Sequence, residues 1–465
     1  MINRPKQKWQ VLTVICIGIF MATLDGSILN IANPSIASAF HVSISSVQWV
    51  VTAYILVITA TLLLFGKLGD RIGGQKIYRN GFAVFTLGSL LCSLSSSLGV
   101  LVGSRLIQAI GASMMMATGI GIVSNTFPPA ERGKALGLTA SMVGMGNMTG
   151  PPLGGIILAK LSWPFIFLIN VPIGLVGFIL AVKLLPAQEI NKTESAFDFT
   201  GTILLAAASA LLVFSTNTAH GINYKLLVLG LALLLAFWRW EEYLENGLLD
   251  LELFKIPRFV FGNLLAFVAY SLQPFIIFLM PFYLERVMNL TPAYSGLLMA
   301  VTPIAMALTA PLAGSLSDRI GPGLLTPFSF LMLGLASVML SALNESSSIL
   351  YIGLCLGLFG MGMGAFGSPN NSAILGAVCR EKAGYTGGFI SMVRNFSFAL
   401  GTAMSAGLFS LFFRSVSASH SYVASYAAAT RHIYWISSIL CLLGFILAVF
   451  TRIHLETKTV DNNVE

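Results

Sequence analysis

The stretch Gly66–Arg79, GKLGDRIGGQKIYR, decides the fold of this chain. Long apolar runs flank it on both sides, so it predicts a short loop between two membrane helices. Its basic residues outnumber its one acid, Asp70. Because positively charged loops stay in the cytoplasm, this loop also predicts the orientation of every membrane span.

A weaker copy of the stretch, GSLSDRIGP, lies at Gly314–Pro322. A loop pattern that returns in both halves of a membrane protein is typical of an internally duplicated transporter. Each copy follows the second span of its half, which leaves two spans over in the middle of the chain. We therefore predict an N-terminal six-helix bundle over residues 1–185, a linker with two additional membrane helices over 186–258, and a C-terminal six-helix bundle over 259–465.

The composition points to the lipid bilayer as the solvent. Of the 465 residues, 56% are hydrophobic and only 9% are charged, whereas a soluble domain carries about 25% charged residues. The net charge of +8 comes from basic residues in short loops beside spans. No basic patch is interleaved with stacking aromatic residues, which argues against nucleic acid as a partner.

Neither a nucleotide site nor a metal site is indicated. GDRIGGQK lacks the Gly-Lys-Ser/Thr ending of a phosphate-binding loop. The five cysteines form no CxxC pair, and the histidines lie near span ends or in loops. We therefore expect no enzyme and no cofactor, and we expect an ion gradient to supply the energy.

Fourteen stretches are long and apolar enough to predict membrane helices. An even number places both termini on one side, and the loop charges place that side in the cytoplasm. A longer outer loop, rich in Ser, Ala and Tyr, is expected around residues 414–431. The predicted spans cover residues 9–31, 46–65, 78–97, 99–122, 135–158, 163–184, 199–217, 224–241, 259–283, 293–316, 324–343, 349–376, 385–412 and 433–453.

The segment after the two central spans, EEYLENGLLDLELFKIPRF at residues 241–259, alternates acids with Leu and Phe. This pattern suits an amphipathic segment that lies on the cytoplasmic face of the membrane. A plain solvated linker is the other interpretation. The sequence leaves both open.

Charged residues inside spans mark functional sites in membrane proteins. Asp25 lies inside span 1, Arg105 inside span 4 and Arg394 inside span 13. At a rise of about 1.5 Å per residue, Asp25 and Arg105 both fall in the outer part of their spans, so the two can be coupled. An acid balanced between low dielectric and a guanidinium can load and release a proton. A static ion pair that holds two helices together is the other interpretation.

Span 5 contains GMGNMTGPPLGG, which places Gly146, Gly150 and Gly154 on one helix face. Small residues at this spacing let helix backbones approach closely. Pro151 and Pro152 interrupt the hydrogen-bond ladder and predict a bend. The face suits a rocking contact or a seal, or it serves packing alone.

Polar residues within the spans are candidates for a substrate cavity. Taken singly, each is better explained by a hydrogen bond between helices. The candidates are Asn33, Gln48, Tyr54, Gln108, Asn147, Gln273, Asn370 and Arg394.

Together, these motifs resemble the major facilitator superfamily, and within it the fourteen-span drug:proton antiporter family, over nearly the whole chain. GKLGDRIGGQK resembles the loop between spans 2 and 3, LDGSILNIANPSI the span 1 signature with Asp25, and GMGNMTGPPLGG the antiporter motif of span 5. Arg105 and Gln108 match the span 4 motif, although Ala109 stands where glycine is usual. FIFLINVPIG, which begins at Phe165, resembles the entry to span 6.

The resemblance implies an all-α polytopic membrane protein of the major facilitator fold. Two six-helix bundles would rock about a central cavity, with two extra helices between them. Asp25 and Arg105 would couple transport to protons, and an antiporter motif of Gly146, Gly150, Pro151 and Gly154 would limit proton leak. The cytoplasmic gate that the resemblance implies comprises Gly66, Asp70, Arg71, Gly73, Asp318 and Arg319.

One departure from the family pattern concerns the substrate. Exporters of cationic drugs often carry further acids in the spans of the second half, where this chain has only Glu285. This departure disfavours dications and leaves neutral, zwitterionic or anionic lipophiles open. Arg394 is then a candidate contact for an anion.

We expect a proton-coupled antiporter that exports lipophilic drugs or toxic small molecules by alternating access. The alternative is a dedicated exporter of an endogenous metabolite, antibiotic or lipid precursor on the same scaffold. A membrane sensor or a passive facilitator would need neither a proton-carrying acid nor a tight glycine face. The expected partners are the lipid bilayer, a small lipophilic substrate and protons. We expect a monomer in the cell membrane, with both termini cytoplasmic.

Overall fold

The computed structural model describes residues 5–185, 198–216, 223–244, 247–379, 382–417 and 421–461, and every regular element in these ranges is helical. The all-α prediction is thereby confirmed. The first ten helices are α1 (Pro5–Ala39), α2 (Ile44–Val47), α3 (Trp49–Ile72), α4 (Gly74–Ser93), α5 (Leu98–Thr126), α6 (Pro129–Lys160), α7 (Phe165–Leu168), α8 (Asn170–Leu184), α9 (Phe199–Thr216) and α10 (Tyr224–Tyr243). After a 3-10 helix (Leu251–Lys255) come α11 (Pro257–Ile277), α12 (Met280–Arg286), α13 (Pro292–Met299), α14 (Val301–Ile320), α15 (Pro322–Ser341), α16 (Ile349–Gly376), α17 (Ala383–Ser417) and α18 (Tyr422–Asp461).

Four pairs of helices each lie within one predicted span and are separated by only one or two residues, namely α2/α3, α7/α8, α11/α12 and α13/α14. Between α11 and α12 the break follows Pro274, which has no N–H to donate to the preceding turn. The Phe278 N–H donates to Pro274 O at 3.0 Å and closes α11 there. Counting each such pair as one rod, the described residues contain fourteen rods, and each predicted span falls on one of them.

Ten of these rods are long and apolar enough to cross a membrane. The other four are α4, α6, α9 and α10. Lys76 and Arg79 lie in the first two turns of α4, and α9 offers only the apolar run Thr200–Thr216. A count of fourteen membrane spans therefore stays a prediction.

The repeated motif forms the same backbone feature in both halves of the chain. Gly73 separates α3 from α4 with φ +99°, and Gly321 separates α14 from α15 with φ +80°. L-residues with a side chain rarely adopt positive φ, so glycine permits these sharp turns. Each glycine follows the Asp-Arg-Ile of its motif, which places the turn at the same motif position in both copies.

The helices group into two compact units. The first comprises Met1–Ser215, Tyr224–Leu248 and Thr291–Gly296, so the two extra helices belong to it. In its core the aromatic side chains of α4 pack against α1, and the Tyr78 hydroxyl donates a hydrogen bond to Ile15 O at 2.9 Å. The second unit contains Leu249–Leu290 and Leu297–Glu465, and its core includes Phe330 packed edge-on against Phe366, at 5.5 Å between ring centroids.

The longer outer loop predicted around residues 414–431 is wrong. Helix α17 continues to Ser417 and α18 already begins at Tyr422, while residues 418–420 lie outside the described part of the chain. Tyr422 and Tyr426 lie one helical turn apart and pack on Phe413 and Phe409 of α17, at 5.4 and 4.7 Å between ring centroids. The Ala- and Tyr-rich sequence therefore forms helix, because its aromatic residues pack on the neighbouring helix.

The segment before α11 packs on the second unit and is not a plain solvated linker, while its predicted place on the membrane surface stays a prediction. In the 3-10 helix Leu251–Lys255, Leu253 is only 2% exposed and packs on protein. Lys382 pairs with Asp250 at 2.7 Å and with Glu252 at 2.6 Å, which ties the segment to the start of α17. Hydrogen bonds to Asp250 and Glu252 raise the pKa of the Lys382 amino group.

Candidate functional site

The carboxylate of Asp25 lies in the middle of α1 and is fully buried. Its Oδ2 accepts a hydrogen bond from Arg105 Nη1 at 2.5 Å. Its Oδ1 accepts from Gln108 Nε2 at 2.8 Å and from Asn170 Nδ2 at 2.7 Å. Helices α1, α5 and α8 thus converge on one carboxylate, and each of the α5 and α8 partners donates to it.

Arg105 on α5 is as deeply buried as its partner. Its Nε donates to the backbone oxygen of Val50 on α3 at 3.0 Å, and Nη1 also donates to Gln108 Oε1 at 2.5 Å. The guanidinium carbon lies 3.8 Å from the ring centre of Tyr54 and 5.7 Å from that of Phe167. The positive charge is therefore held by a carboxylate, a carbonyl and aromatic faces, all of which favour a cation.

Gln108 connects this pair to α4. Its Nε2 donates to Ser89 Oγ at 2.8 Å as well as to Asp25, and its Oε1 accepts from Arg105 and from the Cys92 thiol. We call the connected side chains the Asp25 cluster. Its members are Asp25, Ser89, Cys92, Arg105, Gln108 and Asn170, with the ring of Tyr54 against Arg105.

Three side-chain donors, one of them the Arg105 guanidinium, surround the Asp25 carboxylate. Removing either member of a buried ion pair typically costs about 3–5 kcal/mol, since the other charge is left uncompensated. The cluster therefore fastens α1 to α5 and α8.

Three members of the cluster, Ser89, Cys92 and Asn170, were not among the site residues predicted from the sequence. Asn170 begins α8, inside the apolar stretch FIFLINVPIG. An amide side chain inside an apolar run is the sequence feature that could have identified Asn170 as a site residue. Its Nδ2 donates a hydrogen bond to Asp25, while its buried Oδ1 has no partner among the described residues.

Of the other cavity candidates in the first unit, Asn33 and Gln48 are fully buried, and neither amide has a hydrogen-bond partner within the described ranges. The Tyr54 hydroxyl is likewise enclosed and unpartnered there. Asn147 is half-buried on α6. The structure therefore joins Gln108 directly to the Asp25 cluster and Tyr54 through its ring, but it does not join Asn33, Gln48 or Asn147 to it by a hydrogen bond.

The candidates in the second unit lie on α11, α16 and α17. Asn370 is buried, and its Nδ2 donates to Gly262 O at 3.1 Å, so it acts as a bond between α16 and α11. Gln273 on α11 and Arg394 on α17 are both half-buried.

The glycine face of α6 lies directly against α1. A Cβ at Gly146 would stand 3.0 Å from the Leu24 backbone nitrogen, and one at Gly150 would stand 2.8 Å from that of Ile28. At Gly154 it would stand 3.2 Å from Ile28 O. Ser27 Oγ donates to Gly146 O at 2.9 Å across the same contact. The contact lies within one turn of Asp25 on α1, so α6 packs beside the charge cluster.

The two prolines that follow Gly150 do not end the helix. Pro151 and Pro152 lie inside α6, which continues from Pro129 to Lys160.

The residues predicted as a gate lie at the two glycine turns. Arg71 and Arg319 are exposed at the ends of α3 and α14. A Cβ at Gly66 would meet nothing within 4 Å, and Gly73 forms the turn itself. The predicted acids Asp70 and Asp318 lie in the same two helices, but their side chains lie outside the part of the chain that the structure describes.

Lys67, in the same motif, contacts the segment that follows the two extra helices α9 and α10. Its amino group donates to Gly247 O at 2.7 Å, just after α10. Nearby lie the buried carboxylates of Glu241 and Asp198, and Asp198 accepts from Trp240 Nε1 at 2.9 Å. Burial lowers the pKa of the Lys67 amino group, and these carboxylates oppose that shift. From its sequence, this motif is expected to orient the spans and to form the gate, and the contact with the segment after α10 is an additional role.

In the part of the chain that the structure describes, a repeated helix–turn motif, ten rods long and apolar enough to cross a membrane and a buried charge cluster are features of a polytopic helical membrane protein. The chain belongs to the Major Facilitator Superfamily, whose family model matches residues 15–402. It is therefore a multi-span membrane transporter. The predicted superfamily and fold are confirmed.

Among curated proteins, the chain is 46% identical over 445 residues to the riboflavin transporter RibZ of Clostridioides difficile (strain 630), covering 96% of this chain and 98% of the relative. It is 30% identical over 405 residues to the tetracenomycin C resistance and export protein of Streptomyces glaucescens, covering 85% of this chain and 75% of the relative. Among solved structures, a bacterial homologue of the human lysosomal transporter Spinster matches with a TM-score of 0.70 at 14% identity, over 97% of this chain and 98% of that one.

Proposed function

We propose that this chain is a dedicated transporter of a small metabolite of the flavin class, moved by alternating access. The observation that carries the proposal is the 46% identity to a riboflavin transporter over nearly the full length of both chains. This relationship favours a dedicated transporter over the broad drug exporter expected from the motifs.

The test is riboflavin flux in riboflavin-auxotrophic bacterial cells that express the chain. We expect expression to change the accumulation of radiolabelled riboflavin relative to cells with an empty vector. Excess unlabelled riboflavin should compete, whereas an unrelated vitamin of similar size should not. Identical accumulation in the two strains, with the protein present in the membrane, would reject the flavin assignment.

Proton coupling through Asp25 is the second part of the proposal. Support comes from the buried carboxylate, whose three donors lie on helices that pack separately against α1. A movement that separates α5 or α8 from α1 would free Asp25 to take up a proton. The proton gradient would then be the energy source, and no other cofactor is invoked.

The remaining features have proposed roles in the same cycle. The glycine face of α6 would seal the bundle next to Asp25. The gate would comprise Gly66, Asp70, Arg71, Gly73, Asp318 and Arg319. We propose a monomer in the cell membrane with cytoplasmic termini, in line with the positive charge of the turn after α3.

Export of drugs by the fourteen-span drug:proton antiporter mechanism is the second candidate function. The 30% identity to a tetracenomycin C resistance and export protein favours it, as does the glycine face at Gly146, Gly150 and Gly154. A panel of dyes and antibiotics separates the candidates. Raised resistance to several unrelated compounds on expression, without riboflavin flux, would favour the drug exporter. A flux that ignores collapse of the proton gradient would instead indicate a passive facilitator.

A further inference from the structure

A polar cavity of about 480 Å³ lies at one end of the second unit. It is lined by the start of α11 and of α15, the last turns of α14 and α16, and the part of α18 around Arg452. Among the described residues, the charged ones that line it are both arginines, Arg258 of α11 and Arg452 of α18. Candidate membrane spans begin at Pro257 and Pro322 and end at Arg452, so the cavity lies at the depth of the lipid headgroups.

The two arginines reach this cavity from different helices. The stem of Arg452 packs on the first turn of α15, since a Cβ at Gly323 would stand 3.3 Å from Arg452 Cγ. The ring of Phe261, one turn after Arg258, packs edge-on against Phe450 of α18 at 6.4 Å between ring centroids, which holds α11 beside α18. A single arginine at a span end can simply extend to the membrane surface. Two arginines that line one cavity instead offer their donors to one ligand.

The chemistry of this cavity suits a phosphate group. Guanidinium groups bind phosphate oxygens with paired, charge-assisted hydrogen bonds. Helix α15 begins in the wall of the cavity at Pro322, and the N-terminus of this 20-residue helix adds a partial positive charge. Basic pockets between membrane helices are typical sites for acidic lipid headgroups.

An apolar groove follows the cavity along the same two helices, α15 and α18. Thr326 and Ala448 line the cavity, while Phe330 and Phe445, about one turn further into the span on each helix, line the groove. The groove has a volume of about 310 Å³ and extends along α15 to Val338, over about 12 Å. It lies within the candidate spans of both helices, so its exposed walls face hydrocarbon. These exposed walls comprise Leu331, Leu335, Val338, Trp435, Ile439 and Leu442.

We propose that an anionic phospholipid occupies both features, with its phosphate at Arg258 and Arg452 and one acyl chain in the groove between α15 and α18. A free phosphate would use the cavity alone, and a second copy of the chain would use the groove alone. A basic cavity in line with an apolar groove matches the two parts of one lipid molecule. Because Gly321 of the second motif copy lines the cavity, the lipid stabilises the turn at which α15 begins. The proposal goes beyond the proposed function and does not depend on the identity of the substrate.

The test measures lipid binding to the full-length protein in detergent by native mass spectrometry. The two lipids are dioleoylphosphatidylglycerol, which is anionic, and dioleoylphosphatidylcholine, which has the same acyl chains and no net charge. We expect the wild-type protein to bind the phosphatidylglycerol at least about tenfold more tightly. Arg258→Ala and Arg452→Ala should each weaken binding of phosphatidylglycerol by about fivefold and affect phosphatidylcholine less.

Gly334→Leu tests the groove separately from the arginines. Gly334 lines the groove, and a Cβ there would make only an ordinary contact, 3.4 Å from Cys441 Cβ. A leucine side chain would therefore fill the groove without forcing α15 away from α18. It should weaken binding of both lipids by about fivefold. Glycerol phosphate, a headgroup fragment without acyl chains, should not displace phosphatidylglycerol at equal concentration.

The matched control is Lys255→Ala, which removes an exposed positive charge just before α11 and outside the cavity. This variant should bind both lipids as the wild-type protein does. The comparison of two lipids on unmodified protein keeps the test valid even where a variant fails to fold. Wild-type protein that binds the two lipids equally would overturn the proposal, as would normal binding of phosphatidylglycerol by both arginine variants.

Two further outcomes would replace the lipid by another occupant. Displacement of phosphatidylglycerol by an equal concentration of glycerol phosphate would indicate a site for free phosphate. A protein dimer that Gly334→Leu abolishes would indicate that the groove is an interface between two copies of the chain. Either result would overturn the lipid site while leaving the proposed transport function intact.

Discussion

Arg105 Nη1 on α5 lies 2.5 Å from Asp25 Oδ2 on α1, and neither side chain is exposed beyond 1%. Gln108 on α5 and Asn170 on α8 donate two further hydrogen bonds to the same carboxylate. Each donor belongs to a helix that packs on α1, so the hydrogen bonds of Asp25 depend on how α1 packs on α5 and α8. This dependence is the physical argument for the proposed proton coupling.

Asp25→Asn should abolish gradient-driven accumulation of substrate while leaving exchange of labelled for unlabelled substrate. The amide keeps the shape of the carboxylate but carries no charge and cannot cycle a proton. It also leaves Arg105 uncompensated, at a stability cost of about 3–5 kcal/mol. Flux in proteoliposomes with an imposed proton gradient measures the first effect, and thermal unfolding in detergent measures the second.

The control for this variant is Asp250→Asn, since Asp250 is a partly exposed acid of the second unit. It should transport normally. Full gradient-driven accumulation by the Asp25→Asn protein would show that Asp25 is not the coupling acid and leave it as a static ion-pair partner.

Asn170→Ala should slow gradient-driven transport and lower the melting temperature. It removes one of the three side-chain donors to Asp25, and a buried acceptor that loses a donor costs about 1–3 kcal/mol. Flux in proteoliposomes and thermal unfolding in detergent measure the two effects. Asn147→Ala, at a half-buried amide outside the cluster, should change neither. Wild-type flux and melting temperature for the Asn170→Ala protein would contradict a role for Asn170 in holding Asp25.

Gly150→Ala should slow transport and destabilise the protein by about 1–3 kcal/mol. The added Cβ would stand 2.8 Å from the Ile28 backbone nitrogen, so α6 and α1 must move apart. Gly144→Ala is the matched control, because a Cβ there meets nothing within 4 Å. Equal transport rates and equal melting temperatures for the two variants would show that the close contact between α6 and α1 is not required.

Lys67→Ala should loosen the two extra helices from the first unit. The change removes the bond to Gly247 O and leaves the buried carboxylates of Glu241 and Asp198 without the nearby cation. Hydrogen exchange over α10 should become faster, whereas exchange over α5 should not. Lys76→Ala, an exposed lysine of the same motif, is the control. Unchanged exchange over α10 would mean that apolar packing alone holds these helices.

Much of the fold could be predicted from the sequence, because membrane helices are apolar runs of a required length. The repeated Asp-Arg-Ile-Gly motif also predicted where two of the turns fall, and Gly73 and Gly321 form those turns with positive φ. The ends of α17 and α18 were not predictable in this way. Tyr422 and Tyr426 extend α18 by packing on α17, and hydropathy does not register a contact between two helices.

The candidate site was predictable in part for a similar reason. Asp25 and Arg105 stood out because charge inside a span is rare, and the helical rise placed them at similar depth. Asn170 and Ser89 carry no charge and resemble any polar residue in an apolar run. Their role depends on which helices meet at Asp25, and that is a property of the fold. The contact of Lys67 with Gly247 O could not be predicted from the sequence, because the two residues are far apart along the chain.

The most direct test of the account is riboflavin flux in proteoliposomes that contain only this protein. With a proton gradient imposed, we expect labelled riboflavin to move against its concentration gradient, and dissipating the proton gradient should reduce its movement to passive exchange. The Asp25→Asn protein should show exchange alone. Riboflavin movement that is equal with and without the gradient would contradict proton coupling, and no movement above empty liposomes would contradict flavin transport altogether.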